Sequence, residues 1–322
     1  MDTGTYRTRR VAATSGQPDR ARIARAGWHT PLIALAFLLL SACMPPTASV
    51  DVAHERAAAK RAFDDPRAQA LAVAAATGDT DAVRRLMQDE GVDPDRIFWG
   101  SGGGTPILAW PIHRANPDGL RAMLENGADP NVSRAYDTRD RGIRKHANAM
   151  VWAAEQEDPN YLSLLLDHGG DPDTRNANDE ALLFHAFIKQ DKWRNVQLLV
   201  ERGADIDARA SPGSTIVSKY AVRGGFMMTY WLLERGADPT IDFVYEEPVS
   251  ARDSHAIEAI FWHPGNPDDP SWQLACQRWL LARGITRPPM PEQYRAMRRT
   301  FGFPYEEDRI PLPDMDDTGG TT

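Results

Sequence analysis

The stretch Gly127-Ala128-Asp129-Pro130, preceded by a leucine-rich pair, decides the fold because it returns along the chain. It recurs as Gly91-Val92-Asp93-Pro94, Gly170-Asp171-Pro172, Gly203-Ala204-Asp205 and Gly236-Ala237-Asp238-Pro239. The aspartates are spaced 36, 42, 34 and 33 residues apart. A period near ~33 residues marks a helical solenoid, in which each unit buries its apolar face against its neighbours. Such chains present extended binding surfaces and rarely carry chemistry.

Each unit follows one plan. Met150-Val151-Trp152-Ala153-Ala154 places small residues in a short first helix, where a second helix must approach closely. Tyr161, Leu162, Leu165 and Leu166 then form the buried stripe of the second helix. A glycine at 169 or 170 supplies the left-handed stop, and Asp171-Pro172 turns the chain away. Val217, Tyr220, Ala221, Gly224, Trp231, Leu232, Leu233 and Gly236 repeat the plan. So do Leu71, Ala74, Ala75, Gly78, Val83, Leu86 and Met87.

These units resemble ankyrin repeats over residues 67–284. The most diagnostic stretch is Gly103-Gly104-Thr105-Pro106-Ile107, similar to the family's Gly-x-Thr-Pro-Leu lead-in to a first helix, with Pro106 at the helix start. Other units begin with Asn148-Ala149, Leu182-Leu183, Thr215-Ile216 and His255-Ala256, and the family's histidine after leucine is lacking. The resemblance implies an all-α ankyrin-repeat solenoid of five to six helix-turn-helix units with β-turn fingers, flanked by flexible termini. A distorted sixth unit runs through Ala256, Ile260, Trp272 and Ala282 to Gly284, and residues 291–301 read as a short helix. Residues 285–322 read as a C-terminal cap and a disordered acidic tail, disordered from Phe303 on.

The N-terminal segment reads as an export signal. Six arginines and two aspartates occupy residues 1–31, followed by an apolar run from Leu32 to Leu40 and then Ser41-Ala42-Cys43. The run is too short to span a bilayer but suits a signal h-region. Leu40-Ser41-Ala42-Cys43 resembles the bacterial lipobox, which implies cleavage after residue 42 and lipidation of Cys43. Met44 follows, where an aspartate would resemble an inner-membrane retention signal, so the expected location is the outer membrane facing the periplasm. Residues 43–66 read as a flexible tether, and two acyl chains suffice for stable anchoring. With Cys43 lipidated, Cys276 has no partner for an internal disulfide and reads as a small buried hydrophobe.

Charge narrows the partners. The chain carries −8, or −12 once the leader's six arginines and two aspartates are removed, which disfavours nucleic acid. One region runs against that trend. The 131–148 connection is longer than a regular unit needs and holds Arg134, Tyr136, Arg139, Arg141, Arg144, Lys145 and His146. In the family, inter-repeat connections are fingers that line the binding surface. An enlarged basic finger is therefore either a contact site rich in hot-spot residue types or a solvated loop balancing an acidic body. Trp99, beside the glycine-rich finger, and Trp193, at the start of a second helix, are the tryptophans expected to face a partner; the others are assigned to the core.

The family's groove falls on Glu155, Gln156, Lys189, Gln190, Val222 and Arg223. Gly102-Gly103-Gly104 lacks the Lys-Ser/Thr of a phosphate loop, and no zinc-protease, hydrolase or Cys-x-x-Cys signature is present. The Asp-Pro and Asp-x-Asp pairs are turn chemistry. The expected function is thus a non-enzymatic protein-binding module without cofactor, metal or small-molecule substrate. Its partner is a periplasmic enzyme or, if the chain is an immunity protein, a secreted envelope-targeting effector such as a phospholipase.

Overall fold

The computed structural model describes residues 51–100, 104–137, 144–209, 213–241, 256–266 and 270–315, with the backbone alone for 135–137 and 144–147. Residues 1–50, including Cys43, and residues 138–143, including Arg139 and Arg141, lie outside it.

Among the described residues, six helix pairs follow one another. They are α2 (Pro66–Thr77) with α3 (Thr80–Arg84), α4 (Ala109–His113) with α5 (Pro117–Glu125), and α6 (Ala149–Ala154) with α7 (Asn160–Asp167). Then come α8 (Leu182–Ile188) with α9 (Trp193–Glu201), α10 (Ile216–Val222) with α11 (Phe226–Glu234), and α12 (Ala256–Trp262) with α13 (Ser271–Ala282). Helices α1 (Val52–Ala62) and α14 (Glu292–Thr300) flank the series. Short antiparallel hairpins join some units: β1 (Phe98–Trp99) with β2 (Thr105–Pro106), and β3 (Ser133–Asp137) with β4 (Arg144–Asn148). This is an ankyrin-type solenoid with one continuous core.

The repeated sequence signs have direct structural counterparts. Ala75, Ala109, Ala153, Ala154, Ala186, Ala221 and Ala259 are fully buried in the first helices. Gly127, Gly169, Gly203, Gly236 and Gly284 adopt φ between 76° and 100° at the ends of second helices. The N–H of the residue after each returns five residues, as in Ala128 N to the Met123 carbonyl at 3.1 Å and Ala204 N to Leu199 at 3.0 Å. In the first unit α3 continues as a π turn over Arg85–Asp89, and Val92 N reaches back six residues to Leu86. One extra residue is absorbed there without moving Leu86 and Met87 out of the core.

The turn aspartates do more than bend the chain. Asp93 accepts from Asp95 N (3.1 Å), and Asp95 from Asp129 N in the next unit (3.0 Å). Asp129 accepts from Asn131 N, and Asn131 from Asp171 N, both at 2.8 Å. Asp171 accepts from Asp173 N (2.9 Å) and Asp173 from Asp205 N (2.7 Å). Asp205 then accepts from Asp207 N (3.0 Å) and Asp207 from Asp238 N (2.9 Å). Side chain thus alternates with backbone across five turns. Burial, reinforced by neighbouring carboxylates, raises the Asp95 and Asp207 carboxyls above the usual range.

Amide side chains cap the first helices, whose last carbonyls would otherwise lack donors. Asn116 Nδ2 donates to the Ala76 carbonyl at 3.0 Å, and Asn195 Nδ2 to those of Ala154 and Gln156 at 3.0 and 2.9 Å. Gln273 and Gln277 do the same for Ile260.

Three expectations are corrected. Residues 51–66 do not form a tether: Asp51 caps α1, whose Ala58 and Ala59 are buried, and Phe63 packs edge-on against Trp110 at 5.3 Å. An end unit must cover its apolar face, and α1 does so with small side chains that give little sequence signal. Residues 303–315 run back over the cap and are not disordered. Arg298 donates to the Pro304 carbonyl (2.5 Å), Arg295 to Tyr305 (3.0 Å) and Arg287 to Ile310 (2.6 Å), so buried or half-buried arginines hold a segment with few apolar side chains. Finally, Thr105-Pro106 forms β2, and α4 begins at Ala109 with Pro111 in its first turn.

Candidate protein-binding surface

The two hairpins stand side by side. β1 and β2 pair Phe98 with Pro106 and Trp99 with Thr105, closed at the base by Ile107 N donating to Ile97 O at 2.9 Å. In the second hairpin Ser133 opposes Asn148, and Asp137 opposes Arg144. Over residues 133–137 and 144–148 the enlarged connection is therefore a regular antiparallel ribbon. Asn148 fixes its base: Oδ1 caps α6 by accepting from Met150 N at 2.6 Å, while Nδ2 donates to the Val132 carbonyl at 3.4 Å. Exposed Arg134 lies with its guanidinium 4.3 Å from the centre of the Phe98 ring, joining the hairpins by a cation–π contact.

Behind the hairpins lies an aromatic cluster. Trp99 meets Trp110 edge-on at 5.1 Å, His113 at 5.6 Å and Trp152 at 5.8 Å, and His113 meets Trp152 at 5.4 Å. Trp110 is only 3% exposed, whereas Trp99 and Trp152 are half-buried and His113 is exposed. The cluster thus has a buried floor and an accessible upper side made by β1, α4 and α6. The indole N–H groups of Trp99 and Trp110 are buried without acceptors. Burial, and then the adjacent Arg114, hold the His113 pKa below its ordinary value. Arg114 stacks 4.5 Å over Trp110 and lies 3.1 Å from Glu55 of α1, an ion pair without hydrogen-bond alignment.

Trp193 belongs to a different group. It packs edge-on against Tyr220 and Trp231, each at 5.2 Å, and is half-buried. Tyr220 Oη donates to Asp191 at 2.5 Å, and burial pushes its phenol pKa far up. Gln190 and Asp191 hold positive φ values of 67° and 52°, strained for non-glycine residues. The bond to Tyr220 and the Lys192–Glu157 pair stabilise that turn. Of the residues read as partner-facing, Trp99 belongs to the aromatic cluster, Arg134 stacks on its strand neighbour Phe98, and Trp193 sits apart. Tyr136 pairs with Lys145, and Arg144 with Asp137, along the β3–β4 ladder.

The polar groove positions are tied between units. His185 Nε2 lies 2.7 Å from Glu155 Oε1, and Lys189 Nζ 3.2 Å from the same oxygen. Asn176 Oδ1 accepts from the N–H groups of Asn178 and Glu180, so its Nδ2 faces His185 Nδ1 at 2.9 Å as donor. That assignment places the imidazole proton on Nε2, donated to Glu155. The His185 bond, ahead of Lys189, lowers the Glu155 pKa. Arg223 stacks 4.2 Å over Phe187. Trp152, His113 and the capping asparagines were not singled out as site residues from sequence; the only sign was Trp152 standing beside the Ala-Ala of its helix.

Among the described residues no group of three or more His, Cys, Asp or Glu side chains could hold a metal ion, and no helix is long and apolar enough to cross a membrane. A cleft of about 510 Å³ between α1, α2 and α3 and a polar one of about 610 Å³ beside Asn131 and Arg175 hold no nucleophile–base pair.

No family profile and no curated protein matches the chain. Solved structures do. The ankyrin repeat domain of Bcl-3, described as a unique member of the IkappaB family, is 24% identical over 67% of this chain and 86% of its own, with a TM-score of 0.49. The ankyrin repeat protein EF0377 is 25% identical over 58% of this chain and 88% of its own, with a TM-score of 0.45.

Proposed function

We propose that this chain is a non-enzymatic protein-binding module, held at the bacterial cell envelope by lipid on Cys43, that grips its partner with the face formed by the two hairpins, α4 and α6. The observation that supports the binding face is the half-exposed pair Trp99 and Trp152 with exposed His113 between them, Trp99 and His113 resting on buried Trp110. Tryptophan on a rigid support supplies contact area at low entropic cost, and Arg134 adds a charge held in place by stacking. The envelope half of the proposal rests on the basic, apolar and Leu40-Ser41-Ala42-Cys43 segments in sequence.

Two experiments test the halves separately. Incorporation of labelled palmitate into the wild-type chain, lost in Cys43→Ala, is the outcome expected for the anchor; equal labelling of both would remove Cys43 from the account. For the binding function, immobilised full-length Cys43→Ser is used to draw proteins from the cell envelope. A stoichiometric partner that is lost with Trp152→Ala supports the module. A resident periplasmic enzyme would define a scaffold, and a protein toxic when expressed alone would define an inhibitor. Retention unchanged by Trp152→Ala would exclude this face.

A further inference from the structure

We infer that the cleft between α1, α2 and α3 seats an amphipathic helix of a protein partner, apolar along one stripe and acidic on either side of it. The cleft shares no lining residue with the hairpin face. It is a second binding place, at the N-terminal end of the solenoid.

The repeat itself defines the seat. Inside the solenoid each first helix packs on the next first helix, as α2 does on α4 and α4 on α6. Second helices do the same, as α3 does on α5 and α5 on α7. Helix α1 packs along α2 like a first helix, but only residues 63–65 separate the two, so its unit has no second helix. That helix would lie against α1 and α3, as α5 lies against α4 and α7, and the cleft of about 510 Å³ opens there. Val52, Arg56 and Lys60 follow at four-residue intervals on α1, and Gln69, Val73 and Thr77 on α2, so two helical stripes form its walls. Ala82 and Leu86 close the third side, both buried, while Val52 forms an exposed apolar lip. The α1 stripe runs for about 12 Å, which matches roughly two turns of helix.

Charge names the occupant. Arg56, Lys60 and Arg85 line the cleft against Asp79 alone, in a chain that carries −8. Asp79 is engaged as the cap of α3, accepting from Ala82 N at 3.0 Å. Glu55, the acid of α1, is paired with Arg114. Arg85 lies 3.5 Å from Glu90, whereas Arg56 and Lys60 are exposed and make no ion pair among the described residues. Acids flanking the buried stripe of a docked helix would meet both cations, and the stripe would cover Val52 and Val73. An anionic membrane also attracts cations, but a flat surface does not fill a cleft.

The test uses full-length Cys43→Ser and fluorescein-labelled peptides followed by anisotropy: a glutamate–leucine amphipathic helix, its lysine–leucine counterpart, and the glutamate peptide broken by a central proline. The glutamate helix is expected to bind most tightly, to weaken as salt rises, and to lose about tenfold in affinity, or ~1.4 kcal/mol, with Arg56→Glu and Lys60→Glu together. Equal binding of the lysine helix or the proline-broken peptide would overturn the inference, as would indifference to the double variant. Phosphatidylglycerol vesicles bound more tightly than the glutamate helix, and released by the same variant, would make the occupant a lipid surface instead. Self-association in sedimentation velocity that the variant abolishes would make it a second copy of this chain. Either result overturns the inference. Both residues are exposed, so the thermal melt is expected to hold; should charge reversal unfold α1, Arg56→Gln with Lys60→Gln gives the same reading.

Discussion

Gly119 in the first turn of α5 offers the sharpest test of how closely the units stack. A methyl at Gly119 would lie 1.8 Å from the Ala75 carbonyl oxygen of α2, 2.6 Å from its carbon and 2.9 Å from its Cα. All three are backbone atoms, so no rotamer change relieves the contact and the helices must part by more than an ångström. Overpacking costs about 1–3 kcal/mol, with the upper end apt where backbone must move. Alanine's better helix propensity returns about 1 kcal/mol. Parting the helices also strains Gly119 N to Asn116 Oδ1 (2.9 Å) and Asn116 Nδ2 to Ala76 O (3.0 Å). Gly119→Ala is therefore expected to lose roughly 2 kcal/mol. Because a solenoid is held by nearest-neighbour interfaces, the loss falls on α1–α3, which should melt ahead of the rest in urea, followed by circular dichroism. Equal or greater stability, as propensity alone would give, would refute the described approach of α2 and α5.

Three further outcomes follow from the same geometry. Asp173→Ala removes the acceptor for Asp205 N and should cost about 1 kcal/mol in urea unfolding, whereas Asp173→Asn should be nearly neutral, since Asn131 already fills an equivalent place. His263 accepts from Gly265 N on Nδ1 and is held below its ordinary pKa of 6.5 by burial and then by Arg298. Its folded pKa being depressed, stability should be full above pH 6.5, decline as pH falls below that value, and level off past the folded pKa. His263→Asn, which keeps an acceptor, should flatten that part of the thermal-melt profile, and an unchanged slope would exclude His263 as its source. Cys276 is fully buried and its thiol pKa is pushed up by burial, so a thiol reagent should label it only at the rate of unfolding; fast labelling of the native chain would contradict its packing.

The Gly-x-Asp repeat made the second-helix ends legible because each needs a left-handed residue and a turn, which few residue types supply. The buried alanines and leucines were legible by their spacing. What escaped has a common cause: it depends on residues far apart in sequence. Asn195 reads as an ordinary polar position until its amide is seen under the Ala154 carbonyl. The relay through Asp95, Asn131, Asp173 and Asp207 reads as five separate turns, since each link needs the neighbouring unit in place. Helix α1 carries alanines too small to mark a buried face, and the 303–315 segment is held by Arg287, Arg295 and Arg298 through backbone carbonyls that leave no sequence trace. At the binding surface, Arg134 and Trp99 were legible as residue types. The meeting of Trp99 with His113 and Trp152 required the packing of α4 against α6.

The most direct measurement of the central claim is amide hydrogen exchange of full-length Cys43→Ser with and without its captured envelope partner. Protection concentrated on β1–β4, α4 and α6, and lost in Trp152→Ala, is the predicted result. Protection centred on α9 and α11 around Trp193, with the hairpins unchanged, would place the binding face elsewhere and contradict the account.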